Sequence, residues 1–119
     1  MNFDERLEMY LDGGFINSKD VENINKIIQM FKDDEDIELT EENAGMFIAH
    51  LCAAYSRLGK DEEIDDLPDD VLDEVKQTAT YEKSLEIFEK INKITEFNDV
   101  EKKYVLLHLN NLLSSYHKN

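Results

Sequence analysis

Residues Met46–Gly59, MFIAHLCAAYSRLG, decide the fold. Their apolar residues recur at three and four positions, the period of a helix with one face buried. Thr40 is placed to cap this helix, with Glu41 and Glu42 in its electrostatically favourable first turn, and Gly59 fits a left-handed stop after Leu58. Met46, Phe47, Leu51, Ala54 and Leu58 form the stripe expected in the core, and the alanines permit a neighbouring helix to approach closely. His50 and Arg57 are not demanded by packing. They stand seven residues apart, nearly two turns, so both project from one side with a rise of about 10 Å between them. Side chains lean toward the helix N-terminus, which tips the guanidinium back toward the imidazole. A second stretch answers the first: in Lys103–Leu113, KYVLLHLNNLL, His108 again precedes a leucine inside an apolar run. The two helices are expected to present their histidines to one functional surface.

Working outward, Phe3, Leu7, Tyr10 and Leu11 have helical spacing, with Asn2 or Asp4 as cap and Gly13-Gly14 as the end of a short first helix. Ser18 is the expected cap of a second helix carrying Val21, Ile24, Ile27, Ile28 and Phe31, and the charged run Lys32–Glu38 reads as a solvated connection. After the acidic loop Asp61–Asp66, Pro68 suits a first helical turn, with Val71, Leu72 and Val75 as its stripe. A break near Gln77–Thr80 precedes a face made of Tyr81, Leu85, Phe88, Ile91 and Ile94. Asn98 with Glu101 forms a capping box before the helix of Val105, His108, Leu109 and Leu112. No segment alternates with period two, and one proline with four glycines supplies few hairpin turns. The expectation is an all-α, compact bundle of five or six helices forming one domain over residues 1–119.

Charge and composition narrow the function. With 28 acidic against 13 basic residues the formal charge is −15, which repels phosphate backbones and argues against direct binding of nucleic acid or an anionic membrane. A single cysteine allows no internal disulfide, and the opening MNFDE lacks the basic and apolar regions of a secretion signal, so a cytoplasmic location is expected. No apolar run approaches the ~20 residues of a membrane span.

Metal and catalytic chemistry find no motif. The residues three before the histidines are Phe47, Val105 and Ser114, not the glutamate of a helical carboxylate metal site. No His-x-x-x-His or Cys-x-x-Cys pair occurs, and Asp33-Asp34-Glu35-Asp36 lacks the alternating ligands and glycine of a calcium loop. No glycine-rich loop leads into a helix to cradle a nucleotide. Cys52 reads as a small packing residue and His117 as exposed in a polar tail. The plain reading of His50 is a half-buried histidine bonded to a neighbour. Neither an enzyme, a cofactor nor a metal is expected.

Taken together, His50-Leu51-Cys52-Ala53-Ala54-Tyr55-Ser56-Arg57 resembles the His-Leu-x-x-Ala-x-x-Arg segment of the PRD, the phosphotransferase-system regulation domain of bacteria. Glu101 precedes His108 much as an acidic residue precedes the second histidine of that family, and the separation of the two histidines is similar. The similarity runs from about Leu7 to Leu113. It implies a five-helix domain, often paired as a dimer, in sugar-responsive antiterminators and activators. It further implies that His50 and His108 accept phosphate from the phosphocarrier HPr or from sugar-permease components, with Arg57 orienting or pairing with the phosphate. PRD regulators usually add an RNA-binding or helix-turn-helix segment and commonly a second PRD, whereas this chain has room for one copy.

The expected function is therefore that of a stand-alone PRD-like regulator of carbohydrate gene expression, antiterminator-like, acting through protein contacts with HPr or permease components, with a regulator protein, and with itself as a homodimer. The alternative is an acidic helical adaptor whose histidines are structural.

Overall fold

The computed structural model describes residues 3–116. Six helices and, among the described residues, no strand make the chain all-α. Contacts divide it into two units, Met1–Glu62 and Glu63–Asn119.

The first unit holds α1 (Asp4–Asp12), α2 (Ser18–Glu35) and α3 (Glu41–Lys60), with α2 packed on both α1 and α3. Its core is built from Leu7 on α1, from Ile24, Ile27 and Phe31 on α2, and from Phe47, Ile48, Leu51 and Tyr55 on α3, all at most 2% exposed. Phe31 and Phe47 meet edge to face at 5.9 Å, a geometry that adds about 1 kcal/mol beyond area burial. Arg6 spans from α1 to α3 by two charge-assisted bonds, Nη2 donating to Glu41 Oε1 at 2.6 Å and Nε to Oε2 at 2.8 Å, while Nη1 donates to the Tyr10 hydroxyl.

The helix ends of this unit differ in part from the sequence expectation. Thr40 does cap α3, in a reciprocal box with Asn43. The cap of α2 is Asn17 rather than Ser18: its side-chain Oδ1 accepts from Asp20 N–H while the Asp20 carboxylate accepts from Asn17 N–H. Phe3 occupies the N-cap position of α1 with no side-chain cap, Asp4 is its first helical residue, and Asn2 lies outside the described residues. The run Lys32–Glu38 is not simply a connection, because α2 continues to Glu35 with Lys32, Asp33 and Asp34 exposed, and Ile37 and Leu39 beyond the helix are buried. Left-handed backbone closes α2 at Asp36 (φ 56°) and α3 at Asp61 (φ 55°), while Gly59 remains helical. Aspartate is among the few side chains that tolerate this region. The Gly13-Gly14 end of α1 is as expected, with Gly14 at φ 76°.

The second unit holds α4 (Asp69–Lys76), α5 (Tyr81–Ile94) and α6 (Asp99–Tyr116), and α6 packs on both of the others. A hub helix must bury more than one face, and α6 does so with Val105, Leu109 and Leu112 on one arc and Leu106, Asn110 and Leu113 on another. Pro68 precedes α4 at φ −56°, and the break before Tyr81 falls where expected. On α5 the buried line is Ser84, Ile87 and Ile91, with Tyr81, Leu85, Phe88 and Ile94 only half-buried beside it. Asn98 Oδ1 accepts from Glu101 N–H at 2.9 Å. The acidic loop is tied down by α6, since the Tyr104 hydroxyl donates to Asp65 O at 2.8 Å and Lys103 Nζ to Asp66 Oδ1 at 2.9 Å.

A polar knot lies within this unit. The hydroxyls of Thr78, Thr80 and Ser84 stand 3.0, 2.7 and 3.0 Å from Oδ1 of Asn110, which is 2% exposed, and Thr80 also bonds Ser114.

Candidate functional site

Helix α3 has two unlike arcs. One is the core stripe of Ala44, Phe47, Ile48, Leu51 and Tyr55. Opposite it, at successive steps of four and three residues, stand Met46, His50, Ala53 and Arg57. Met46 is 72% exposed and Leu58 48%, so two members of the expected core stripe face solvent instead. The helical period explains the first, since at 100° per residue Met46 falls diametrically across from Tyr55, whereas Leu58 stays on the core arc and is exposed in the last turn of α3, which ends at Lys60.

His50 is exposed, not half-buried as its apolar sequence context suggests. Arg57 is half-buried on the same arc. The cover the ring does have, followed by the positive charge of Arg57, holds the His50 pKa below the usual imidazole value. Both causes disfavour a second positive charge. The imidazole is therefore neutral at pH 7, with one ring nitrogen carrying a lone pair. An exposed imidazole and a half-buried guanidinium two turns further on thus share one arc of α3.

His108 has a different setting, in the second unit. It is half-buried on α6, on the arc that carries Glu101, Val105 and Leu112 at 3–5% exposure, next to the fully buried Leu109. Glu101, seven residues earlier, lies on the same side of the helix. Of the sequence-derived candidates, His50 and Arg57 thus share one arc of one helix, and His108 sits on α6 with Glu101. His117 lies outside the described residues.

Cys52 is fully buried and its thiol is pushed up to about 12, chiefly by desolvation. It fills space and holds no thiolate at neutral pH. Among the described residues no group of three or more His, Cys, Asp or Glu side chains is arranged to hold a metal ion. No described helix is long and apolar enough to cross a membrane.

Sequence reasoning missed Met46 as a neighbour of the candidate site. The step of four from Met46 to His50 carried that signal, had the outward arc been traced along with the inward one. It also missed the Arg6–Glu41 pair that fixes the start of α3, for which no local pattern exists.

Compared with known families, the chain matches the PRD domain over residues 25–112. That span includes α3 with His50 and Arg57 and the part of α6 up to Leu112, with His108. No curated protein and no solved structure matches the chain.

Proposed function

The chain belongs to the PRD domain family, and from that premise we propose that it is a regulatory protein phosphorylated on histidine by the sugar phosphotransferase system, with His50 as the principal acceptor. PRD domains are regulatory rather than catalytic and serve phosphotransferase-linked control. His108 is the second candidate acceptor, and Arg57 supports the phosphorylated state of His50. Residues 1–119 act as one PRD-like domain in this reading, since the matched span passes from the first unit into the second. The phosphoryl donor is HPr or a permease component, the location is cytoplasmic, the protein pairs as a homodimer, and the output is contact with a regulator of carbohydrate genes.

The observation that carries the proposal is the exposure of the His50 imidazole on the arc of α3 opposite its core, with Arg57 two turns on along the same arc. A phosphohistidine carrier needs an accessible lone pair from its acceptor and nothing else. The acceptor nitrogen forms an N–P bond, the carrier's N–P bond breaks and its imidazole keeps the electron pair, and the acceptor proton is released to solvent or to the departing ring. The product adds a dianion to a chain already at −15, a cost that the Arg57 guanidinium offsets locally. The resulting change in association is of the order of 1–3 kcal/mol, a common scale for coupling between sites.

Phosphorus NMR at alkaline pH, after incubation with phosphoenolpyruvate, the general phosphotransferase enzyme and HPr, tests this directly. A phosphoramidate resonance that His50→Ala removes supports the proposal. A resonance that survives His50→Ala and disappears in His108→Ala transfers the role to α6. With no resonance, from HPr or from permease domains, the acidic adaptor with structural histidines becomes the better account.

A further inference from the structure

Beside the contact of α1 with α2 runs a groove made of two adjoining hollows, and Asp4 and Asn25 border both. One hollow, of about 150 Å³, is lined by Leu7, Leu11 and Val21, with Glu8 among its border residues. The other, of about 330 Å³, is lined by Phe3, Ile28 and Leu39, with Lys32 and Glu38. Val21, Asn25, Ile28 and Lys32 follow one another along α2 at steps of four and three, so they form one straight wall. The family match begins at residue 25, so α1 and the first two turns of α2, which supply most of the smaller hollow, lie outside it. We propose that this groove docks a cationic amphipathic helix of another protein, laid along α2 with two apolar side chains seven residues apart filling the two hollows.

Spacing fixes the form of the occupant. Val21 and Ile28, one in each hollow, stand seven residues and about 10 Å apart along α2. A helix lying beside α2 repeats that interval on one of its faces, between side chains at i and i+7. An extended segment lacks support, because the described residues contain no strand whose edge it could join, and its N–H and C=O groups would be covered without partners.

Charge fixes the sign. Among the lining residues Asp4, Glu8 and Glu38 outnumber Lys32. The α1 wall carries four carboxylates and a single base, Arg6, whose guanidinium is committed to Glu41. Basic side chains flanking the apolar anchors complement this border, speeding encounter and rejecting acidic partners. A second copy offers the opposite, since it brings its own −15 charge to a border of carboxylates. Nucleic acid is repelled by the same charge. The docking rests on the groove and is independent of whether His50 accepts phosphate.

Fluorescence anisotropy of the full chain with a labelled synthetic peptide tests this. The probe is a lysine- and alanine-based helix of about 15 residues carrying two leucines seven positions apart. The expected result is saturable binding that weakens about tenfold in Leu11→Glu, a residue 37% exposed in the groove. The double variant Glu8→Lys with Glu38→Lys weakens it about fivefold. Asp73→Lys with Glu74→Lys, an equal change of charge on exposed residues of α4, leaves it within about twofold. The same peptide with its leucines five positions apart, on different faces, binds about tenfold less tightly. Asn25→Arg, at an exposed residue bordering both hollows, replaces Leu11→Glu if that variant loses helicity. Amide shifts of Leu11, Val21 and Ile28 in two-dimensional NMR locate the contact. Absence of binding, an equal loss in the α4 variant or indifference to the leucine spacing overturns the proposal. So do the same amide shifts on concentrating the chain alone, which assign the groove to a second copy.

Discussion

Arg57 stands two turns beyond His50 on the outward arc of α3, and its charge helps hold the imidazole below the ordinary histidine pKa. The first prediction follows from the sign. Removing the charge in Arg57→Gln raises the His50 pKa toward, but not to, the usual value, because the partial cover of the ring remains. Phosphoryl acceptance, which needs the neutral ring, then falls off at a higher pH on the acid side than in wild type. A two-dimensional NMR titration of the imidazole resonances measures the shift, and an unchanged pKa contradicts the pairing of these residues.

The Arg6–Glu41 pair predicts an acid-sensitive element in the first unit. Hydrogen bonding from Arg6 is the main reason the Glu41 carboxyl sits below its ordinary value of 4.5. A depressed carboxylate contributes stability that is present above the unfolded pKa and lost as pH falls through the folded one. Glu41→Gln should accordingly lower Tm at pH 7, and the gap to wild type should narrow below pH 4.5. Parallel thermal melts across that range decide it. A gap that is constant with pH counts against the ion pair.

Much of the fold was legible along the chain, and the failures are local and physical. Thr40, the break before Tyr81 and the end of α1 at Gly13-Gly14 are short-range signals, and each stands where the sequence put it. Gly59 gave way to Asp61, and Ser18 to Asn17, because several residues near a helix end can serve as its cap and tertiary packing selects among them. Met46 was misassigned by reading every apolar residue of α3 as core, although a helix has one core arc, and Leu58, on that arc, is exposed in the last turn of the helix. The Asn110 knot and the Arg6–Glu41 bridge join residues distant in sequence and leave no periodic trace. At the candidate site, the shared arc of His50 and Arg57 was visible in their spacing. The exposure of His50 was not, because its neighbours in sequence are apolar while those on the outward arc, exposed Met46 and half-buried Ala53 and Arg57, leave it open to water.

The knot around Asn110 predicts a stability cost out of proportion to its size. Asn110→Ala removes the buried acceptor shared by the Thr80 and Ser84 hydroxyls, which keep Ser114 and the Thr80 carbonyl oxygen respectively as partners, a loss of about 1 kcal/mol. Asn111→Ala, one residue on and exposed, should lie within about 0.5 kcal/mol of wild type. Urea unfolding of the two variants side by side checks the contrast, and equal midpoints would contradict it.

The central claim is that His50 receives a phosphoryl group. Intact-protein mass spectrometry at alkaline pH, where phosphohistidine survives, measures it most directly after incubation with phosphoenolpyruvate, the general phosphotransferase enzyme and HPr. The account predicts a gain of one phosphoryl mass in wild type that is absent in His50→Ala and diminished in Arg57→Gln, with helicity unchanged in both variants. A wild-type chain that stays unmodified with HPr and with permease domains, or a His50→Ala chain modified as fully as wild type, would contradict it.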